Sequence, residues 1–288
     1  MIGKTDCRLL NLLTVAVLLL QFTDIGNTQL LINVKNQGGD VVQETISSNV
    51  SEDSVTLEFQ RSDGTLITQL VDFTHEVQIL KALVLGEEER GQSQYQVMCF
   101  VCHINKDEFI SSDAMAKLRQ KNPGTVRTAE EDRGRENYQM DLFVDVARSA
   151  VISRHVVSLC SEARDATYTR RKDLDLWAAQ PGGPSLSALL AAVREYPVTS
   201  PPAGSSLATR GNSVDGAPTR CRETPSLWSD CTCHLEMCIG WYPCSLKYCK
   251  SQKAGDTSAS YRCGIRTCRK CSHFSYYVRQ RQLCLWDE

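Results

Sequence analysis

CRETPSLWSDCTCHLEMCIGWYPCSLKYCK, residues 221–250, places six cysteines in thirty positions, and Cys263, Cys268, Cys271 and Cys284 follow before Glu288. Ten of the chain's 14 cysteines therefore fall in its last 68 residues. So dense a set exceeds even ordinary disulfide scaffolds and is rarely compatible with a reducing cytosol. Cys231-Thr-Cys233-His234 and Cys268-Arg-Lys-Cys271 have spacings that also suit tetrahedral zinc, with Cys231, Cys233, Cys268 and Cys271 as four thiolates. An oxidising export route pairs thiols before metal is offered, and a small segment without a large core depends on cross-links. Cys221, Cys231, Cys233, Cys238, Cys244, Cys249, Cys263, Cys268, Cys271 and Cys284 are therefore expected in disulfides, with neither metal nor cofactor. Spacing does not choose among the many connectivities that ten cysteines allow.

Upstream, Lys4 and Arg8 precede the apolar run 9–20, and small or polar residues follow near Gly26 and Thr28. A charged start, a short apolar centre and a small-residue end describe a signal peptide over residues 1–26, and twelve residues are too few to cross a bilayer as a helix. The expectation is a secreted, extracellular protein with no membrane insertion. Removing Cys7 with the signal leaves an odd number of cysteines, so one thiol is free, modified or joined to another chain. The formal net charge of -2 gives no electrostatic reason to expect nucleic acid as a partner.

Composition divides the rest into an ordinary globular stretch, 29–172, a Pro/Gly/Ser/Ala-rich linker, 180–220, and the cysteine-rich domain 221–288. In the first stretch Leu30, Ile32 and Val34 alternate with other residues, Gly38, Gly39 and Asp40 turn the chain, and residues 41–46 return, as in a hairpin. A second hairpin pairs Val55, Leu57 and Phe59 with residues 66–73. The apolar runs 77–85 and 95–104 read as central strands, and Met140, Leu142, Val144 and Val146 as another. One helix is predicted from Ser111 or Ser112 to Asn122. A second starts near Ser153 and carries Val156, Cys160, Ala163 and Thr167 at helical spacing, with Arg170, Arg171 and Lys172 at its end. The expected fold is α+β, an antiparallel sheet with two helices, followed by a small disulfide-rich module. Residues 185–196 (SLSALLAAVREY) add helical propensity inside the linker.

Motifs for catalysis are incomplete. His75 and Glu76 begin a His-Glu-x-x-His pattern, but Ile79 stands where the second histidine belongs. Gly91, Gln92 and Ser93 begin a nucleophile elbow, but Tyr95 replaces its closing glycine. The expectation is no enzyme. Asn49-Val50-Ser51 is a glycosylation sequon in a polar turn between strands, so the chain is expected to be a glycoprotein at Asn49.

Several runs are characteristic together: Asp72-Phe73, Lys81-Ala-Leu-Val-Leu-Gly86, Cys99-Phe100, Ala114-Met-Ala-Lys-Leu-Arg-Gln-Lys-Asn-Pro123, Trp241-Tyr-Pro-Cys244, Lys247-Tyr-Cys249, Cys263-Gly-Ile-Arg266 and Arg279-Gln-Arg-Gln-Leu-Cys284. With them the chain closely resembles the Out at first family of secreted proteins. That resemblance implies a BRICHOS-like N-terminal half, in which Asp72 matches a signature carboxylate and Cys99 and Cys160 match two bridged cysteines. Asp72 is then a buried, proton-sensitive switch or a residue that ends a hairpin. Cys102 fits neither cysteine position and is the candidate for a free thiol or for an intermolecular bridge that would make a covalent dimer. The expected function is a non-enzymatic factor that binds an extracellular or cell-surface protein in development or tissue signalling. The alternative, implied by BRICHOS domains elsewhere, is a secreted chaperone for a β-prone client.

Overall fold

A computed structural model describes residues 28–35, 39–86, 95–197, 219–250 and 260–284. The predicted signal segment 1–26 lies outside them, as do residues 198–218 of the expected linker. Six strands occupy the stretches where apolar alternation, or for the last two a continuous apolar run, predicts them: β1 (Thr28–Lys35), β2 (Val41–Asn49), β3 (Ser54–Gln60), β4 (Leu66–Asp72), β5 (Val77–Leu85) and β6 (Tyr95–His103). Each pairs antiparallel with the next. At the β3–β4 turn Gly64 takes φ 85°, a left-handed conformation that side chains disfavour, and Asp63 Oδ1 accepts from the Thr65 amide at 2.9 Å.

Short strands extend both edges: β7 (Val126–Arg127) beside β1, and β9 (Leu142–Val144), β10 (Thr167–Thr169) and β11 (Val193–Glu195) beyond β6. The resulting ten-stranded sheet runs β11-β9-β10-β6-β5-β4-β3-β2-β1-β7. A second sheet pairs the long hairpin β12 (Cys231–Lys250) and β13 (Ser260–Val278) with β8 (Glu131–Gln139), which lies parallel to β13. The α-helices are short: α1 (Ser112–Ala116), α2 (Arg154–Leu159), α3 (Arg171–Ala179) and α4 (Leu186–Leu190).

These findings overturn the expected BRICHOS-like α+β fold: the described chain is mostly β, with two sheets and no pair of long helices. The second predicted helix breaks for a physical reason. Cys160 is tied to Cys99, the Cys99 amide donates to Ala166 O at 2.9 Å, and Thr167–Thr169 joins β6 as a parallel strand. Val156, Cys160, Ala163 and Thr167 are all buried, but from a helix, its cap, a turn and a strand in succession. The first predicted helix stops at Ala116, well short of Asn122. Arg171 and Lys172 open α3 instead of closing a helix.

The two faces of the first sheet carry different cores. Val77, Ile79, Cys99 and Val101 pack with Val156, Cys160, Leu174, Trp177 and Leu189 from the helices. Leu80, Ala82, Met98, Phe100 and Cys102, on the other face, pack against Leu235, Met237, Trp241, Phe274 and Tyr276 of the hairpin. β5 and β6 are thus covered on both sides, which is why they read as continuous apolar runs. The cysteine-rich segment forms one core with the first sheet: the rings of Phe100 and Phe274 stack with centroids 4.1 Å apart. Residues 180–197 of the expected linker are also folded. Ser185 caps α4, Leu189 is buried against the helices, and β11 pairs with β9.

Candidate functional site

The twelve described cysteines other than Cys102 form six bridges. Cys238–Cys271, Cys244–Cys268 and Cys249–Cys263 are rungs between β12 and β13. Cys221–Cys231 and Cys233–Cys284 pin the segments that enter and leave the hairpin. Cys99–Cys160 ties β6 to the end of α2 across 61 residues, a loop for which chain entropy gives about 4 kcal/mol. The four sulfurs of the zinc reading fall into four different bridges, and every sulfur in the clusters Cys221/Cys233/Cys284 and Glu236/Cys238/Cys271 is bridged and offers no thiolate. Cys102 is 1% exposed, and burial pushes its thiol well above the ordinary range, so its sulfur is out of reach of a second chain.

Asp72 closes β4 and is fully buried. Its carboxylate accepts from the His75 amide at 3.1 Å and from Ser153 Oγ at 2.6 Å, and lies 2.7 Å from His75 Nδ1. It thereby joins the β4–β5 turn to the cap of α2. Serine, aspartate and histidine meet here in an order unlike a nucleophilic relay: the hydroxyl donates its hydrogen bond to the carboxylate, and no described hydrogen bond links it to the imidazole. Glu76, the other half of the incomplete zinc motif, binds His103 Nε2 (3.1 Å), Lys106 Nζ (3.1 Å) and Gln180 Nε2 (2.8 Å). Against partial desolvation, Lys106 and His103 hold its carboxyl below the ordinary range. Asn49 ends β2 half-buried, and its Oδ1 accepts from the Ser51 amide and hydroxyl at 3.1 and 2.7 Å.

Charged groups lie between the layers at Arg170 and Glu44, which are buried, and at Lys270, which is half-buried; sequence reading named only Arg170, as a cation at a helix end. Arg170 meets Asp173 through two contacts, 2.6 and 2.7 Å, and its guanidinium sits 4.5 Å from the centre of the Tyr138 ring. Although burial opposes its charge, Asp173 holds the guanidinium protonated beyond its usual range. Lys270 lies 2.8 Å from both Glu108 and Glu136. Glu44 approaches β12, where its Oε1 accepts from the Gly240 amide at 3.1 Å.

A cleft of about 630 Å³ opens where the hairpin's exit meets the first sheet. Phe143 from β9, Tyr168 from β10 and Tyr276 and Tyr277 from β13 form its floor, and Met98 from β6 adds a thioether. The rings pack on one another: Tyr168–Tyr276 centroids are 4.8 Å apart and Phe143–Tyr277 6.0 Å. Burial raises the phenols of Tyr168 and Tyr277, so both remain neutral. Arg164, Asp165 and Arg279 stand on the rim, the last 6.0 Å from the Phe143 centroid. Leu283 also lines the cleft and links it to an apolar patch. The loop bearing Leu227 and Trp228 is hydrogen-bonded to the exit turn through Arg281 N to Ser229 O (2.9 Å) and Gln282 N to Leu227 O (3.2 Å). Trp228 is 69% exposed. Strands distant in sequence supply the floor, so the one local signal that could have pointed to it is the Tyr276-Tyr277 doublet, which sequence reading did not single out.

Comparison with known proteins finds matches to two family models. The family model described as Out at first matches residues 28–177, and the one described as Out at first, C-terminal, matches residues 220–288. The Out at first protein of Drosophila virilis is 60% identical over 279 residues, covering 94% of this chain and 86% of that protein. The Out at first protein of Drosophila melanogaster is 58% identical over 273 residues, 91% of this chain and 52% of that protein, so the chain spans about half of that relative. No solved structure matches. On two family models that together cover both sheets except β11, and on relatives alike over most of its length, the chain belongs to the Out at first family.

Proposed function

We propose that this chain is a secreted, non-enzymatic developmental factor that binds an extracellular or cell-surface protein through the aromatic cleft and the adjoining Leu227–Trp228–Leu283 patch. The observation that carries the reading is the cleft itself: four aromatic rings from three strands, fixed beside the Cys233–Cys284 bridge and flanked by an exposed tryptophan. Rigid aromatic anchors beside guanidinium groups are the side chains that dominate protein–protein binding energy. Six disulfides and the lack of any described helix long and apolar enough to cross a membrane support an extracellular setting. The chaperone alternative no longer has the BRICHOS-like fold that implied it.

Expression of the full chain in animal cells tests the proposal. Oxidised protein should accumulate in the medium and bind intact cells saturably, and Trp228→Ala together with Arg279→Glu should weaken that binding about tenfold or more. Retention of reduced protein inside the cell, or binding indifferent to both substitutions, would refute it.

A further inference from the structure

Trp228-Ser229-Asp230-Cys231 sets an indole three residues ahead of a cysteine, the W-x-x-C spacing at which tryptophans of exported chains accept a mannose on ring carbon C2. So short a motif says little until its structural context is known, and here it occurs twice, again at Trp241-Tyr242-Pro243-Cys244. The fold separates the two. Trp241 lies within β12, 5% exposed, in the core that the hairpin shares with the first sheet. Trp228 is 69% exposed. The backbone on either side of it is held, with Leu227 O accepting from the Gln282 amide at 3.2 Å and Ser229 O from the Arg281 amide at 2.9 Å, and Cys231 is buried in its bridge to Cys221. The loop thus keeps its cysteine inside and its indole outside, whereas Trp177 and Trp241 are both buried.

We propose that Trp228 is a C-mannosylation site, carrying one mannose on indole C2 in the exported protein. The donor is mannose linked to a polyprenyl phosphate, the lipid-borne sugar of the secretory lumen. Indole C2 supplies the electron pair for a C–C bond to the sugar's C1, the C1–O bond to the lipid phosphate breaks with that oxygen keeping its pair, and the C2 proton passes to a base as the ring regains its aromaticity. No oxidant or reductant takes part. A sugar on Trp241 would have to enter the core with its hydroxyls unpaired, so a chain modified there does not reach this fold, while Trp228 carries one at no such cost. The sugar also covers an apolar surface to which Leu227, 53% exposed, and Leu283, 41% exposed, contribute. The inference rests on export, one part of the functional proposal, and adds what a partner meets at Trp228: a glycosylated ring.

Tandem mass spectrometry of peptides from the full-length protein, collected from the medium of mammalian cells, tests this. The peptide containing Trp228 should gain the mass of one hexose. That hexose should stay on the tryptophan fragment, because a C–C bond survives the fragmentation that strips an O-linked sugar from Ser226 or Ser229. Cys231→Ala should abolish the gain, whereas Cys221→Ala, which breaks the same bridge and leaves the motif, should keep it. Both variants are read in whole-cell protein as well as in medium, so that a failure to fold does not hide the result. Oxidised protein in the medium with a bare Trp228, a hexose held by a serine, a hexose on Trp241 instead, or a gain that survives Cys231→Ala would each overturn the inference. Those outcomes leave export standing, whereas reduced, unmodified protein retained inside the cell removes both readings. A hexose on Trp228 with cell binding indifferent to Trp228→Ala and Arg279→Glu supports the inference and removes only the partner reading.

Discussion

Glu44 sits in β2 under Gly240, 2% exposed, and its Oε2 has no hydrogen-bond partner. Burial pushes its carboxyl up to about 8, the amides of Gly240 and Trp241 opposing only part of the shift. The unfolded chain releases that proton near its ordinary pKa of 4.5, so between about pH 4.5 and 8 the native state holds a proton that the unfolded state has lost. Stability should fall as pH rises through this window and level off above it. Glu44→Gln should remove most of the slope and add on the order of 2–4 kcal/mol at pH 8.5, measured by urea unfolding at pH 5 and 8.5. A wild type as stable at pH 8.5 as at pH 5 would contradict the raised carboxyl. At Gly240 itself an added Cβ would stand 2.7 Å from Val34 Cγ1, so Gly240→Ala should cost about 1–3 kcal/mol in the same assay by pushing β12 off β1. Truncating Asp173 to alanine strands the Arg170 guanidinium among apolar neighbours. A loss of about 3–5 kcal/mol in thermal unfolding is expected, with much of it recovered when Arg170→Met is added.

Among the elements, β1 to β6 were legible because alternation and turn residues are local signals, and the Cys99–Cys160 pairing was legible through family resemblance. β8 was not: Glu131-Asp-Arg-Gly-Arg-Glu-Asn-Tyr-Gln139 has no apolar period, and it becomes a strand because β13, more than a hundred residues later, offers it a hydrogen-bonding edge. Ion pairs such as Arg269–Asp132 at 3.0 Å then hold the register. The bridges of the hairpin were hidden for the same reason. Only once β12 and β13 are aligned does Cys238 stand opposite Cys271, while bulges after Ile239, Pro243 and Lys247 shift the later rungs. The site is still less legible, since its floor comes from strands separated along the whole chain, and Asp72 shows its partners only when Ser153 is brought to it. Replacing Cys99 and Cys160 together by alanine should cost about 4 kcal/mol and release α2 first, visible as faster amide exchange over residues 154–159 than over β5.

At the scale of the molecule the two family segments make one three-layered body: hairpin sheet, central sheet, helices. Phe100, Tyr168, Phe274 and Tyr276 belong to one buried cluster drawn from both segments. Residues 29–172 and 221–288 produced separately should therefore lack cooperative unfolding and expose this cluster to dyes that bind apolar surface. The intact chain should melt in a single transition by calorimetry. An independent sharp transition for either piece would show that the shared core is dispensable. The parallel seating of β8 on β13 carries one more consequence, for the order in which a ribosome delivers the chain. β8 is made long before its neighbour, and at about 5–20 residues per second its edge waits several seconds or more for β13. During that interval the nascent polypeptide shows a greasy sheet face and an unpaired border to its surroundings, so its biogenesis should lean on holding factors until the last cysteine emerges.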